Sequence, residues 1–269
     1  MESEAIGIAE SSRIVEQPFV TDLDLDGATA ISLPNRGIET ALLRRHLERE
    51  VPRELIVSPR WPLVTPGGNR TMAYMIAKRA IDLAGGLVLL VLLSPILLVT
   101  FLILTITTKG HPIFCQQRLG FCGRPFRMFK FRTMVLNAVQ LQASVENEQV
   151  GPIFKNFCDP RITRVGRILR SFSIDEMPQL VNVVLGQMSL VGPRPPLACE
   201  VAHYEPWQRQ RLAVKPGLTC LWQVSGRSEI GFDRWVAMDL WYLENQSLAT
   251  DVSLLLRTPW SVITRRGAC

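Results

Sequence analysis

Between Asp82 and Glu146 the chain contains no aspartate or glutamate, and residues 83–108 carry no charge of either sign. Histidine is scarce, with 3 in 269 residues. The 6 cysteines (Cys115, Cys122, Cys158, Cys199, Cys220 and Cys269) form no CxxC pair. Neither a zinc site nor a disulfide framework is expected, and free thiols suit a reducing compartment. The N-terminus opens with Glu2 and Glu4 and lacks an apolar core, so no secretory signal peptide is expected. No internal repeat is visible.

What is present is basic. Lys+Arg number 30 against 24 Asp+Glu, giving a formal net charge of +6 and an isoelectric point near 9.2. Such an excess calls for an anionic partner: nucleic acid, an acidic lipid surface or a phosphorylated substrate. A mean hydropathy of +0.16 favours membrane association among these, and nucleic acid is not expected as a partner.

Three regions follow from composition. Residues 1–70 mix charged stretches with scattered prolines and end in "TPGGNR", which reads as a partly disordered extension with one helix around Ile38 to Glu50. Within it, Asp22, Asp24, Asp26 and Gly27 have calcium-loop spacing, but the twelfth position is Leu33 where a bidentate glutamate is needed. Those acids also resemble a DxD nucleotide-sugar motif, and a solvated turn accounts for them more simply. Residues 71–109 are expected to form the apolar membrane region, and 110–269 a cytosolic domain.

As one straight helix, residues 83–108 would reach roughly 39 Å against a hydrocarbon core of about 30 Å. Ser94 and Pro95 lie near the middle, and proline removes a backbone donor and clashes with the preceding turn, so a break or kink is expected. Arg70, Lys78 and Arg79 precede the segment; Lys109, Arg118, Arg124, Arg127, Lys130 and Arg132 follow it. Positive flanks stay cytoplasmic, and here both are positive. A re-entrant helix–break–helix in one leaflet satisfies both ends, with a kinked transmembrane helix as the alternative.

The following stretch, "GHPIFCQQRLGFCGRPFRMFKFRTM", combines basic residues with aromatics on short strands and a turn, a surface suited to headgroups or phosphates. Farther on, "GFDRWVAMDLWYLEN" and "DVSLLLRTPWSVITRR" read as amphipathic helices with Trp235, Trp241 and Trp260 near their polar borders. Tryptophans so placed suit either a membrane interface or ordinary core packing.

One short stretch, "RSFSIDEMPQL", sets Asp175 and Glu176 side by side at the head of an apolar run. Pro178 is tolerated only in a first helical turn, so a helix ending at Gly186 is expected to begin near Ile174 to Glu176, with Ser173 and Glu176 at capping-box spacing. Two acids at a helix N-terminus can simply stabilise its dipole. Context adds a second reading, because Arg161, Arg164, Arg167 and Arg170 lie upstream and Arg194 downstream. Cations and a helix N-terminus would keep Asp175 ionised, and an ionised carboxylate is a competent nucleophile towards phosphorus. Its repulsion from a phosphate, roughly 4 kcal/mol per unit charge pair at 4 Å and an effective dielectric of 20, must be offset by arginines and a divalent cation.

Together, "SFSIDEMPQLVNVVLGQMSLVGPRPP", "FRMFKFRTM", "DPRITRVGRILR" and "KPGLTCLWQVSGR" resemble the bacterial sugar transferases, the monotopic polyprenyl-phosphate phosphoglycosyl transferases. The likeness runs from about Tyr74 onwards. It implies an α+β, membrane-associated monotopic domain with a Ser94–Pro95-broken re-entrant helix, interfacial amphipathic helices and a few short strands. The implied reaction moves a sugar-1-phosphate from a UDP-sugar, with glucose or galactose the usual sugars, to undecaprenyl phosphate on the cytoplasmic face of the bacterial inner membrane. UMP is released, and exopolysaccharide or O-antigen synthesis begins.

By this resemblance Asp175 is nucleophile and Mg²⁺ ligand, Glu176 assists, and Arg170 and Arg194 contact phosphate or nucleotide, with Lys130 and Arg132 in the same pocket. A homodimer is compatible with it. The chain departs from the family's usual pattern at Cys220, where glycine is common, at Gln187, where an acid is common, and at Cys269, where the end is usually aromatic. Two other readings compete: a conventional glycosyltransferase using the acids near Asp22, and a non-enzymatic basic module that binds membranes.

Overall fold

The computed structural model describes residues 71–108, 110–149, 151–226 and 230–264. The extension, with its expected helix, calcium-like loop and DxD-like acids, lies outside the described residues.

A 36-residue helix, α1 (Met72–Thr107), opens the structure, its first turn capped by the Thr71 side chain accepting from Tyr74 N–H. The expected interruption at Ser94–Pro95 takes a milder form than a break. Helix continues on both sides, and Pro95 has no N–H to donate to the Val91 carbonyl. The Ser94 hydroxyl takes that place, donating to the Val91 oxygen at 2.7 Å. Side chain thus substitutes for backbone, and the helix runs on.

A two-stranded antiparallel hairpin follows, β1 (Ile113–Leu119) and β2 (Pro125–Phe131), in which Phe114 faces Lys130. Helices α2 (Arg164–Ser171) and α3 (Gln179–Val184) flank a single 3₁₀ turn at Ile174–Glu176. The one helix expected from Ile174 to Leu185 is therefore split. Pro178 caps α3 rather than sitting inside a longer helix, and Gly186, at φ 79°, ends it.

Strand β3 (Ser189–Val191) pairs in parallel with β4 (Gly217–Thr219). Between them lie the short helices α4 (Ala198–Ala202) and α5 (Pro206–Arg209); after them come α6 (Leu221–Ser225), α7 (Phe232–Glu244) and α8 (Leu248–Thr264). Mixed helix with few strands fits the expected α+β class.

The main core joins Met128, Leu180, Val183, Met188, Val236 and Leu240, with Leu89, Leu90 and Leu93 of α1 packed against it. A smaller cluster of Leu104, Phe131 and Leu169 seats the far end of the same helix. Polar ties reinforce the near end. Asp82 accepts from the Ser189 hydroxyl at 2.9 Å and from Leu190 N–H at 3.0 Å, while Arg79 donates to the Val183 and Val184 carbonyls at 2.8 Å each. Those carbonyls belong to the last turn of α3, whose acceptors have no partner within the helix. Arg79 therefore works as a C-terminal cap supplied by a distant segment.

The two C-terminal helices differ. Most of α7 is buried, including Val236, Met238, Leu240 and Leu243, so the region around Trp235 and Trp241 belongs largely to the core. On α8, by contrast, Val252, Leu256, Trp260 and Ile263 are exposed at helical spacing. Only α8 presents the apolar stripe that the sequence suggested for both.

Candidate active site

Asp175 sits in the 3₁₀ turn that follows Ser173, a non-glycine residue in the left-handed region at φ 56°. That conformation turns the chain sharply between α2 and α3 and directs both acids into one cleft. The cleft has a volume of about 480 Å³, within the usual range of small-molecule sites. Asp175, Glu176, Lys130, Arg132, Arg170 and Arg194 all line it, so the structure brings together the six residues singled out in the sequence.

Glu176 does not form the expected capping box; Ser173 makes no side-chain capping bond. Instead, Oε1 of Glu176 accepts from Lys130 Nζ at 3.0 Å and from Arg194 at 2.8 Å. Burial opposes charge on Glu176, but Arg194 and Lys130 outweigh it and hold the carboxyl well below the usual range. Glu176 is a fixed anion.

Asp175 behaves differently from expectation. It is buried, yet its carboxylate makes no hydrogen bond or ion pair among the described residues. Burial first, and then the neighbouring Glu176 charge, push its pKa up, against the pull of Lys130, Arg170 and Arg194. The arginines and the helix terminus do not dominate here, because burial and the Glu176 charge outweigh them.

The supporting cations are held from behind. Asn182, wholly buried, accepts from Phe129 N–H at 3.1 Å and donates to the Arg127 carbonyl at 2.7 Å, pinning β2 and hence Lys130 to α3. Its amide also donates to Gln187 Oε1 at 2.7 Å, so the glutamine at this position serves as an acceptor. Arg170 donates to the Thr133 hydroxyl at 2.9 Å. Gly166 allows this approach, since a Cβ there would collide with the Thr133 carbonyl. Of the four upstream arginines only Arg170 belongs to the acid pair's surroundings: Arg164 and Arg167 are exposed, and Arg161 is neutralised by Asp159 at 2.7 Å.

Two arginines not singled out by sequence reasoning matter here. Arg118 lines the cleft and donates to the Pro195 carbonyl at 3.1 Å; burial and the Arg194 charge lower its pKa to about 10. Arg211 donates to the Arg194 carbonyl at 3.0 Å and pairs with Asp239 at 2.7 Å. The face shared with Lys130 in the strand alternation could have revealed Arg118. No local signal marks Arg211, which reaches the site only through the fold. Cys220 lies buried, its thiol on Gln223 Oε1 at 3.1 Å and its pKa raised by burial, so it is an inert filler.

A magnesium ion fits this donor set in a limited way. Asp175 offers one carboxylate with both oxygens free, and no cluster of three acidic, histidine or cysteine ligands exists among the described residues. Magnesium commonly uses one or two carboxylates together with water and substrate phosphates, so a substrate-completed site suits it better than a protein cage.

The bacterial sugar transferase family model matches residues 73–265. Over 200 residues the chain is 42% identical to galactosyl transferase CpsE of Streptococcus agalactiae serotype III, covering 73% of this chain and 44% of that protein. It is 40% identical to the undecaprenyl-phosphate galactose phosphotransferase of Salmonella typhimurium, covering 71% of this chain and 41% of that one. The exopolysaccharide production protein ExoY of Sinorhizobium fredii is 36% identical, covering 72% of this chain and 88% of ExoY. The match thus spans under half the length of the first two relatives and most of the third.

Proposed function

This chain belongs to the bacterial sugar transferase family, and on that premise we propose that it moves a sugar-1-phosphate from a UDP-sugar to undecaprenyl phosphate. Galactose or glucose is the sugar, and the product begins an exopolysaccharide or O-antigen. The observation that carries the reading is one buried carboxylate, Asp175, without a bonded partner among the described residues, in a cleft where its neighbour Glu176 holds Lys130 and Arg194 in place.

In the first step an Asp175 oxygen attacks the β-phosphorus of the donor. The bond from that phosphorus to the bridging oxygen breaks, UMP leaves with the electron pair, and an aspartyl phosphosugar remains. In the second step a phosphate oxygen of the lipid attacks the same phosphorus, releasing the Asp175 carboxylate and forming the lipid diphosphosugar. Arg170 and Arg194 orient phosphate oxygens through bidentate contacts. Glu176 keeps Lys130 and Arg194 at fixed positions, so charge developing on phosphorus meets donors that need no rearrangement. Magnesium bound at Asp175 would neutralise phosphate charge.

We also assign α1 to the cytoplasmic leaflet of the inner membrane, bent at Ser94–Pro95 so that both ends lie on one side. Its exposed Val91, Leu92, Leu98 and Ile106 suit lipid. Both ends of the helix, at Asp82 and at Leu104, rest on the same body. A perpendicular crossing would draw that body into hydrocarbon, where its polar groups would be costly. The exposed stripe of α8 suits the same interface. Cysteines introduced at Met72 and Thr108 should then react with an impermeant thiol reagent from the same side of inverted vesicles.

The deciding experiment incubates purified protein with sugar-labelled UDP-galactose or UDP-glucose and magnesium, without lipid acceptor. Label retained on the protein, mapped to Asp175 and lost in Asp175→Asn, supports the reading. Label that stays soluble, with turnover only after lipid is added, would replace it with direct transfer.

A further inference from the structure

We propose that Arg132 and the apolar rim made by Phe114, Leu136 and Val139 bind the lipid acceptor, Arg132 taking its phosphate and the rim its first isoprene units. This rests on the function proposed above and divides the cleft between its two substrates.

The cations of the cleft are not equivalent. Lys130 and Arg194 pair with Glu176, Arg118 with Glu200 at 4.0 Å, Arg161 with Asp159 and Arg211 with Asp239, while Arg170 bonds the neutral Thr133 hydroxyl and its charge acts on Asp175. Arg132 forms no ion pair among the described residues. Its Nε donates to the His111 carbonyl at 2.7 Å, and its guanidinium lies over the Phe114 ring, 5.6 Å from the centroid. The cation is therefore held in place with its charge unspent.

Beside Arg132 the cleft opens on exposed apolar side chains. Leu136 is 54% exposed and Val139 is 74% exposed, yet both line the cleft. Leu136 packs over Gly110, just past the C-terminal end of α1, where Ile106 is 84% exposed. The rim thus continues from the exposed apolar surface of α1 to the cationic cleft. Phe114 faces Lys130 across the hairpin and so links the rim to the Glu176 cluster. An occupant matching this order needs a hydrocarbon tail, a phosphate beside it and access from the membrane. A nucleotide sugar has a charged diphosphate but no hydrocarbon to cover the rim. A polyprenyl phosphate supplies both parts in the right sequence.

The test uses the full chain in nanodiscs and a polyprenyl phosphate carrying a diazirine on its first isoprene unit. Adducts are expected at Phe114, Leu136 or Val139, displaced by unlabelled polyprenyl phosphate but not by phosphatidylglycerol. Val139→Asp should raise the KM for lipid about tenfold, several-fold more than it changes the KM for the donor or the rate of protein labelling by donor alone. Val139→Ser, a milder change at an exposed position, should shift the lipid KM in the same direction. Adducts confined elsewhere, displacement by phosphatidylglycerol as well, or an unchanged lipid KM would overturn the assignment. Cross-linking reads binding alone, so a parent protein that binds the probe but never acquires label from any UDP-sugar would sink the proposed function and leave this site standing.

Discussion

Asp175 and Glu176 are adjacent in the chain, yet Lys130 and Arg194 both bond to Glu176, on a single oxygen, and neither bonds to Asp175 among the described residues. One acid organises the site and the other is left available. Replacing Glu176 by glutamine therefore strips two cations of their anchor. Breaking a largely buried pair of this kind costs about 2–4 kcal/mol, measurable by denaturant titration. The folded pKa of Glu176 is depressed, so this contribution is present above about pH 4.3 and fades only as pH falls through the lower folded value.

The same substitution changes the pH profile of labelling. Asp175 holds its proton to a higher pH than an ordinary aspartate, because of burial and the Glu176 charge. Protein labelling by donor should therefore fall on the acid side at a pH above about 3.9. Removing the Glu176 charge lowers the Asp175 pKa, so the acid limb of Glu176→Gln should move to lower pH even as the maximal rate falls. An acid limb that stays in place would mean that the acids do not sense each other.

Asp175→Asn separates stability from activity. An acid whose folded pKa is raised stabilises the fold below its unfolded value, and loses that contribution as pH rises through the folded one. At neutral pH the ionised carboxylate is a burden, and no hydrogen bond or ion pair among the described residues is lost with it. The variant should be about 0.5–2 kcal/mol more stable than the parent at pH 7, while labelling by donor disappears. A less stable and equally active variant would contradict the role given to this residue.

Gly166→Ala tests the positioning of Arg170 from a distance. The added methyl would strike the Thr133 carbonyl, which is backbone and cannot swing aside. Either α2 shifts or the chain destabilises, by about 1–3 kcal/mol for an overpacked contact, and in both cases the bond from Arg170 to Thr133 weakens. Donor KM should rise, since Arg170 orients phosphate oxygens.

Much of this site was legible in the sequence because its chemistry is local. Asp175 and Glu176 stand together, Arg170 lies five residues ahead, and the helix stop at Gly186 follows from a residue that accepts positive φ. Less legible was which acid the cations would choose. That depends on Lys130 and Arg194 approaching from a hairpin and a loop far away in sequence, and their approach removed the expected capping box. Local rules marked the proline in α1 but not the Ser94 hydroxyl that bonds the Val91 carbonyl there. The paired tryptophan helices looked alike in composition, and only packing separated buried α7 from exposed α8.

Arg211 offers the sharpest separation of structural from positioning roles. It is fully buried against Asp239, with its ring neighbours Tyr204 and Trp235, and donates to the Arg194 carbonyl. Arg211→Met alone strands a buried carboxylate and should cost about 3–5 kcal/mol. Adding Asp239→Leu removes that stranded charge, so the double variant should recover most of the lost stability. The Arg194 carbonyl would still lack its donor, leaving the Pro193–Arg194–Pro195 segment less fixed against Glu176. Stability recovered with kcat for labelling still several-fold down, and donor KM raised, identifies Arg211 as a positioning residue. If activity returns in step with stability, Arg211 serves the fold alone.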